Sequence, residues 1–172
     1  MPTFWTIQTR EKWKEAQRLG YLIADEKYIW EEFIEPYQWM MGQMKKRLPN
    51  YAGEYPIWLW TRRPDLRGRA HLGKGEKGVL LKVELDEQDV LLSHFQAWHI
   101  VLSRSYFELE INEEEPEYNK DEIEKSWEMI FELDILEQHP NWKSILEKNG
   151  VQAVTGKITI ANINFVKDFI AR

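Results

Sequence analysis

Aromatic and basic side chains lie together in the stretch 58–67, where they could hold a flat, anionic ligand. Two tryptophans share one face of a strand predicted over Ile57–Thr61, and three arginines with one aspartate follow at once. An indole can stack on a heterocycle, guanidinium groups bind phosphate oxygens in pairs, and a carboxylate can accept a hydrogen bond from a ribose hydroxyl. We therefore predict a nucleotide-type ligand, with NAD as a candidate cofactor. The candidate ligand-binding residues are Trp58, Trp60, Arg62, Arg63, Asp65 and Arg67.

Two further side chains, His99 and Glu110, could act as acid or base. His99 follows Trp98 on a predicted helix, and an imidazole titrates near neutrality. Glu110 shares one face of a strand predicted over Tyr106–Ile111 with Glu108, and paired carboxylates can share a proton or polarise a ribose hydroxyl. Both patterns also fit ordinary structure, namely a half-buried structural histidine and a solvated, acidic edge strand. The arginine cluster, likewise, also fits a solvated loop with common ion pairs.

Other kinds of site lack their sequence signatures. The chain has no cysteine, and its four histidines have no HExxH spacing, so we expect no metal site. The glycine-rich stretch Gly73–Gly78 matches GxGxxG, but it precedes a strand instead of opening a helix, so the Rossmann context is missing. Neither a P-loop nor a nucleophile elbow occurs.

Charge is spread unevenly over a chain of 172 residues with a formal net charge of −6. The negative balance argues against general nucleic-acid binding. Six Lys/Arg nevertheless lie within residues 62–78, against Asp65 and Glu76, whereas residues 108–124 carry nine Asp/Glu against Lys120. This asymmetry supports a second hypothesis, a non-enzymatic interaction module whose basic loop 62–78 docks an acidic protein or a nucleic acid.

The hydrophobic pattern predicts the elements that must position these residues. Strands are predicted over 3–8, 57–61, 79–85, 106–111, 151–160 and 164–171. Helices are predicted over 10–19 behind a Thr9 cap, after a Ser93 cap, after Asn119, and from Pro140 or Asn141 to about 149. A helical stripe from Phe33 to Leu48 contains Pro36, so either one helix is kinked there or a new helix starts with Pro36 in its first turn.

This order of elements does not alternate regularly between strand and helix. It favours one α+β domain over residues 1–172, with a mixed or antiparallel sheet and helices packed on it. Nine tryptophans are spread along the chain, and we expect most of them in the core. The 62–78 loop is longer than most connections, and such loops are often functional.

Targeting signals are not visible in the sequence. The first residues have neither a basic nor an apolar region of the kind that signal peptides carry, and no apolar run approaches the ~20 residues that span a bilayer. Together with the absence of cysteine, this predicts a cytoplasmic protein without a membrane partner.

Several of these segments together resemble a bacterial family catalogued as domain of unknown function 3841. The resemblance runs from Phe4 to about Val166 and implies a single-domain bacterial protein with no established activity. The residues that carry it are Thr6-Ile7-Gln8-Thr9, Trp13, Gly20, Pro56-Ile57-Trp58-Leu59-Trp60, Arg63-Pro64-Asp65-Leu66-Arg67, Val90-Leu91-Leu92-Ser93, Phe95 and Trp98-His99.

A more distant resemblance is to small ADP-ribosyltransferase-type domains. It rests on a strand ending in Thr9, a helix containing Trp13, then Gly20, and a later strand over 79–86. The resemblance implies NAD binding in a cleft between two small sheets, and ADP-ribosyl transfer as an activity. Such domains carry His or Arg on the first strand, where this chain has Thr6. Glu108-Leu109-Glu110 is similar to their acidic motif, and Gln152 is another stand-in for the acidic residue.

Overall fold

Eight strands and six α-helices form the described part of the computed structural model, which covers residues 1–68, 71–110, 113, 114, 116–146 and 150–172. The strands are β1 (Thr3–Thr9), β2 (Tyr21–Leu22), β3 (Ile57–Trp60), β4 (Lys77–Glu84), β5 (Leu91–His94), β6 (Val151–Thr155), β7 (Ile158–Thr159) and β8 (Ile163–Ile170). The helices are α1 (Arg10–Leu19), α2 (Ile34–Arg47), α3 (Phe95–Leu102), α4 (Lys120–Ser126), α5 (Leu133–Gln138) and α6 (Pro140–Leu146). Single 3-10 turns occupy Glu26–Tyr28, Glu31–Phe33, Glu87–Asp89, Trp127–Phe131 and Ile160–Asn162.

Six strands form one antiparallel sheet in the order β5-β6-β3-β1-β4-β8, and β2 pairs with β7 apart from it. Strand β4 alternates as predicted: Val79, Leu81 and Val83 are buried on one face, and Lys82 lies on the other. The predicted α+β class with a largely antiparallel sheet is confirmed. In the part of the chain that the structure describes, no helix combines the length and the apolar character that crossing a membrane requires.

Both faces of the sheet carry a hydrophobic core. The register of β3 and β6 pairs Leu59 with Ala153 on one face and Trp58 with Val154 on the other. The first face packs against α1 and the β2–β7 pair, and the second lies under α2, α3 and α5. Because both faces are covered, functional groups must lie at the ends of the sheet or along its edges.

Local signals in the sequence set the ends of several helices. The Thr9 hydroxyl accepts a hydrogen bond from the Lys12 amide at 3.1 Å, and Gly20 ends α1 with φ of 88°, a conformation that glycine adopts without strain. Pro36 lies in the first turn of α2, where its missing N–H has no helical partner to lose. Asn119 caps α4 by accepting from the Glu122 amide at 2.9 Å, as predicted.

Three predictions about local structure are wrong. The single strand expected over 151–160 is divided into β6 and β7, which belong to different sheets. Ser93 does not cap α3, because it belongs to β5; the His94 ring caps the helix instead, its Nδ1 accepting from the Ala97 amide at 3.1 Å. The strand expected over Tyr106–Ile111 does not form in its described residues, 106–110. There the Phe107 amide donates to the Ser126 hydroxyl at 2.8 Å, which ties the segment to α4 instead of to the sheet. Residue 111 lies outside the described residues.

The connection from β3 to β4 brings the chain back to the end of the sheet at which β3 began. Both strands are antiparallel to β1, which lies between them, so they point the same way and the chain must return before β4 begins. Leu72 of this connection lies over Gly78, where an added methyl would come within 2.7 Å of Leu72 Cδ1 and 2.6 Å of Phe169 Cζ. The contact places residues 71–76 beside the C-terminal end of β1.

Candidate functional site

A cavity of about 1050 Å³ lies at the end of the sheet where β1 runs into α1 and where β3 and β4 begin. Its wall is built from four parts of the chain: the end of β1 with the first turns of α1, the segment 22–30, the start of β3 with Tyr37, and residues 71–77. The volume is that of a small-molecule site, since such sites span roughly 300–1,000 Å³.

Several aromatic residues line the cavity. Trp58 and Tyr37 meet edge to face with ring centroids 5.8 Å apart, and the indole Nε1–H donates to the phenol oxygen at 3.2 Å. Burial raises the pKa of Tyr37, so its phenol stays protonated at neutral pH. Tyr28 and Trp30 also line the cavity and are 67% and 69% exposed, although both are large aromatic residues. Exposed rings at the mouth of a cavity are available to stack on a ligand.

The wall of the cavity also carries charged residues. Four cationic residues line it, against three carboxylates, in a chain whose formal net charge is −6. Lys14 and Lys77 make no ion pair with any residue that the structure describes, whereas Lys12 Nζ lies 3.5 Å from Glu15 Oε1. The cations are Arg10, Lys12, Lys14 and Lys77, and the carboxylates are Glu11, Asp25 and Glu76.

A buried hydroxyl fixes the geometry of β1 beside this cavity. Thr6 is 1% exposed; its Oγ1 donates to the main-chain oxygen of Trp58 at 3.0 Å and accepts from Gln8 Nε2 at 2.8 Å. Thr6, the residue that the sequence resemblance sets against a His or Arg of ADP-ribosyltransferase-type domains, here links β1 to β3. Gln152 is also structural, because it is 5% exposed and donates to the Ser93 hydroxyl at 3.1 Å.

Of the predicted ligand-binding residues, only Trp58 lines this cavity, which is the larger of the two described here and is called the larger cavity below. Trp60 points to the same face of β3 but lies in a row of rings outside it. Its ring centroid is 6.3 Å from that of His71 and 5.5 Å from that of Phe95, and Phe95 lies 4.9 Å from His99. His71 also lines the cavity, so this row connects the cavity to α3.

The predicted arginine cluster lies outside the lining of the cavity. Arg62, Arg63 and Arg67 are exposed, and Arg67 binds Asp65 through its fork, with Nη2 2.9 Å from Oδ2. These hydrogen bonds from Arg67 lower the pKa of the Asp65 carboxyl to about 2. Their predicted role in ligand binding stays a prediction, and the structure does not place them on the cavity wall.

The two predicted catalytic residues lie apart from the cavity and from each other. His99 is exposed on α3, where its Nδ1 lies 3.0 Å from the main-chain oxygen of Phe95. Glu110 is 83% exposed, pairs with His139 Nε2 at 3.0 Å, and lines a second cavity of about 640 Å³ that shares no lining residue with the first. Their catalytic role stays a prediction.

A family assignment follows from the sequence. The family model described as "Domain of unknown function (DUF3841)" matches residues 3–120, more than half of the chain. The chain belongs to the DUF3841 family. The matched range contains every residue that lines the larger cavity. No curated protein and no solved structure matches the chain significantly. The family itself has no assigned activity, so the site has to be interpreted from its own chemistry.

Sequence reasoning missed most of the wall that this DUF3841 chain builds. Tyr28 and Trp30 lie in a segment without helical or strand periodicity, and aromatic residues in such a segment are a signal of surface function. Arg10, Lys12 and Lys14 follow the cap residue of α1 and form a basic run on an acidic chain. Among the residues that the structure describes, no group of three or more His, Asp or Glu is placed to hold a metal ion.

Proposed function

We propose that this DUF3841 protein binds a flat, anionic ligand of the nucleotide type in the larger cavity. The observation that carries the proposal is the composition of its wall: exposed aromatic rings and a group of lysine and arginine residues line one concave space. The ring system of the ligand would lie against Trp30, Tyr28 and Trp58, and its phosphate groups would face Lys14 and Lys77.

The exposed aromatic residues favour a ligand over a simple surface. Trp30 is the one exposed tryptophan in the described part of the chain, whereas Trp98 and Trp127 are 4% and 2% exposed. An aromatic residue can bury about 150–250 Å² of surface, so leaving one in water forgoes a large stabilisation. A stacked heterocycle would recover that stabilisation for Trp30 and for its neighbour Tyr28.

The charges favour an anion. The wall carries one more cation than carboxylate on a protein that is acidic overall, and a concave basic surface concentrates anions. The carboxylates of Asp25 and Glu76 have a role in the same ligand, since they can accept hydrogen bonds from ribose hydroxyls. A nucleotide combines the three features that the wall matches: a flat ring, a ribose and phosphate.

The proposal is tested by thermal unfolding with NAD, ADP-ribose or ATP at millimolar concentration. A ligand present at 100 times its Kd adds ~2.7 kcal/mol of stability. We expect at least one of the three to raise the unfolding temperature, and Trp30→Ala and Lys77→Gln to reduce the rise. Phe165→Ala and Lys46→Gln are the matched controls, because both side chains are exposed and lie outside the cavity. No rise with any of the three ligands would refute the proposal.

ADP-ribosyl transfer is a more specific hypothesis, in which the bound nucleotide is NAD and the protein is an enzyme. It requires an acid or base that reaches the ligand, and His99 and Glu110 do not line the cavity. Glu11, Asp25 and Glu76 are the carboxylates that line the cavity, so transfer would use one of them. Release of nicotinamide from NAD by the wild-type protein, lost in one of Glu11→Gln, Asp25→Asn or Glu76→Gln, is the result that would extend ligand binding to catalysis.

The second hypothesis, an interaction module, is favoured by the exposure of Arg62 and Arg63 outside the cavity. In this case an acidic protein or a nucleic acid would dock on the 62–78 loop, and the aromatic residues of the cavity would have no part. Binding to a polyanion such as heparin at low salt, lost in Arg62→Gln/Arg63→Gln and unaffected by Trp30→Ala, would support this hypothesis over the first.

A further inference from the structure

The Arg10 guanidinium is held by one carboxylate without a hydrogen bond. Arg10 is the first residue of α1 and lines the larger cavity; its Nε lies 3.2 Å from Asp168 Oδ1. Arg10 Nε is nevertheless buried from solvent, and it has no hydrogen-bond partner among the described residues, because the two groups are not aligned for one. The contact is a charge pair with a donor left unused.

An unused donor of this kind calls for an explanation. Buried polar atoms in proteins nearly always have a hydrogen-bond partner, and a buried donor without one costs stability. Arg10 Nε is the one buried side-chain nitrogen or oxygen without a hydrogen bond in the described part of the chain. It belongs to a side chain on the wall of the cavity, where the basic residues of the proposed site lie.

We propose that Arg10 anchors the anionic group of the ligand, and that Asp168 competes with that group for the guanidinium. This inference rests on the proposed function. A guanidinium matches the geometry of a phosphate with two parallel hydrogen bonds, which the contact with Asp168 does not supply. Lys14 and Lys77 also line the cavity and have no ion pair with a described residue. They therefore add positive charge and, unlike Asp168, do not compete with the anion.

The position of Asp168 suits a competitor that is easily displaced. Asp168 lies on β8, the edge strand of the sheet, opposite Val79 of β4, and its side chain is 55% exposed. A carboxylate with that exposure returns to water at little cost when a phosphate takes its place. The free energy of the ion pair between Arg10 and Asp168 then sets how much Asp168 lowers the affinity for the ligand.

Two substitutions separate anchor from competitor. Arg10→Gln removes the charge and the fork, so we expect affinity for the anion to fall about tenfold or more. Asp168→Asn removes only the competing charge, so affinity should rise by about two- to fivefold. In the Arg10→Gln background, Asp168→Asn should change nothing, because the two residues act through one contact. Arg10→Lys keeps the charge without the fork and should fall between wild type and Arg10→Gln.

The experiment is isothermal titration of the full chain with ADP and, separately, with inorganic pyrophosphate. Glu35→Gln is the matched control, because Glu35 forms a comparably exposed pair with Arg104 at 3.5 Å and does not line the cavity. Unfolding curves without ligand show whether each variant is folded. If Arg10→Gln fails to fold, the affinities of Arg10→Lys and Asp168→Asn test the inference.

The outcomes distinguish this inference from the function on which it rests. Tighter binding in Asp168→Asn, with weaker binding in Arg10→Gln, supports both. If the wild type binds ADP and Arg10→Gln binds it equally well, the anchor role is overturned while the proposed function stands. If Asp168→Asn binds no tighter than the wild type, the competitor role is overturned. If neither ADP nor pyrophosphate binds to the wild type or to Asp168→Asn, the inference fails.

Discussion

Arg67 binds Asp65 through two parallel hydrogen bonds, Nε to Oδ1 at 3.0 Å and Nη2 to Oδ2 at 2.9 Å. The Arg67 amide also donates to Oδ1 at 2.9 Å, so the pair closes a tight turn within the β3–β4 connection. Asp65 and Arg67, which the sequence pattern predicts to bind a ligand, therefore bind each other. Either a phosphate replaces the Asp65 carboxylate on the Arg67 fork, or the pair serves the loop.

Asp65 should titrate at about pH 2, because the Arg67 side chain and then its amide stabilise the charged carboxylate. Since the folded pKa lies below the unfolded value of about 3.9, the contribution to stability is present above pH 4 and is lost as the pH falls towards 2. We expect Arg67→Gln to raise the pKa of Asp65, and Arg63→Gln to leave it unchanged. Carboxyl chemical shifts measured against pH test both, and a wild-type Asp65 that titrates near 3.9 would show that the pair is absent in solution.

His94 should make stability depend on pH between neutrality and mild acid. Burial lowers the pKa of His94, and its Nδ1 accepts from the Ala97 amide, so the neutral ring is the form that caps α3. The unfolded chain binds the proton more readily, with a pKa near 6.5, so stability should fall as the pH drops below about 6.5 towards the lower folded pKa.

Urea unfolding at several pH values between 5 and 8 measures this effect. His94→Asn keeps a side-chain acceptor at the cap but cannot titrate, so its stability should vary less with pH while being lower at pH 8 from lost packing against Trp142. Gln96→Ala, on the exposed face of α3, removes no titrating group, so it is the control and should keep the wild-type slope. Equal slopes for His94→Asn and the wild type would contradict the assignment.

Gly78 lies where the side chains of Leu72 and Phe169 both approach the backbone of β4. A methyl group there would come within 2.6 Å of Phe169 Cζ and 2.7 Å of Leu72 Cδ1, so Gly78→Ala should cost about 1–3 kcal/mol through overpacking. Gly42 is the matched control: it lies inside α2 with nothing within 4 Å of an added methyl, and Gly42→Ala should stabilise by about 0.5–1 kcal/mol. Unfolding free energies that change in the same direction for both would contradict the packing seen at Gly78.

Local patterns account for the parts of the fold that the sequence predicts. Thr9, Gly20 and Asn119 act within a turn of their own position, and Val79, Leu81 and Val83 alternate along β4 so that they share one face, so these features can be inferred without knowing the rest of the chain. Capping by His94 could not be inferred in that way. It depends on the burial of an imidazole against Trp142, 48 residues away, which no local pattern encodes.

The candidate site shows the same limit. The sequence indicates aromatic and basic residues around Trp58, and Trp58 does line the cavity, yet the basic wall comes from α1 and Lys77 instead of the arginines next in sequence. That wall exists because β1 pairs with both β3 and β4, which brings distant segments to one end of the sheet. Strand order is set by long-range packing, so neighbours in space could not be inferred from neighbours in sequence.

The hydrogen bond between Trp58 and Tyr37 should hold the aromatic wall in place. Tyr37→Phe keeps the ring but removes the acceptor for the indole Nε1–H, 3.2 Å away, and leaves that donor half-buried without this partner. The variant should lose about 1 kcal/mol of unfolding free energy, whereas Tyr28→Phe, at a side chain 67% exposed, should change it by less than about 0.5 kcal/mol. Chemical denaturation measures both. A loss in Tyr28→Phe equal to that in Tyr37→Phe would mean that Tyr28 is packed in solution, and the exposed stacking surface on which the ligand site depends would then be absent.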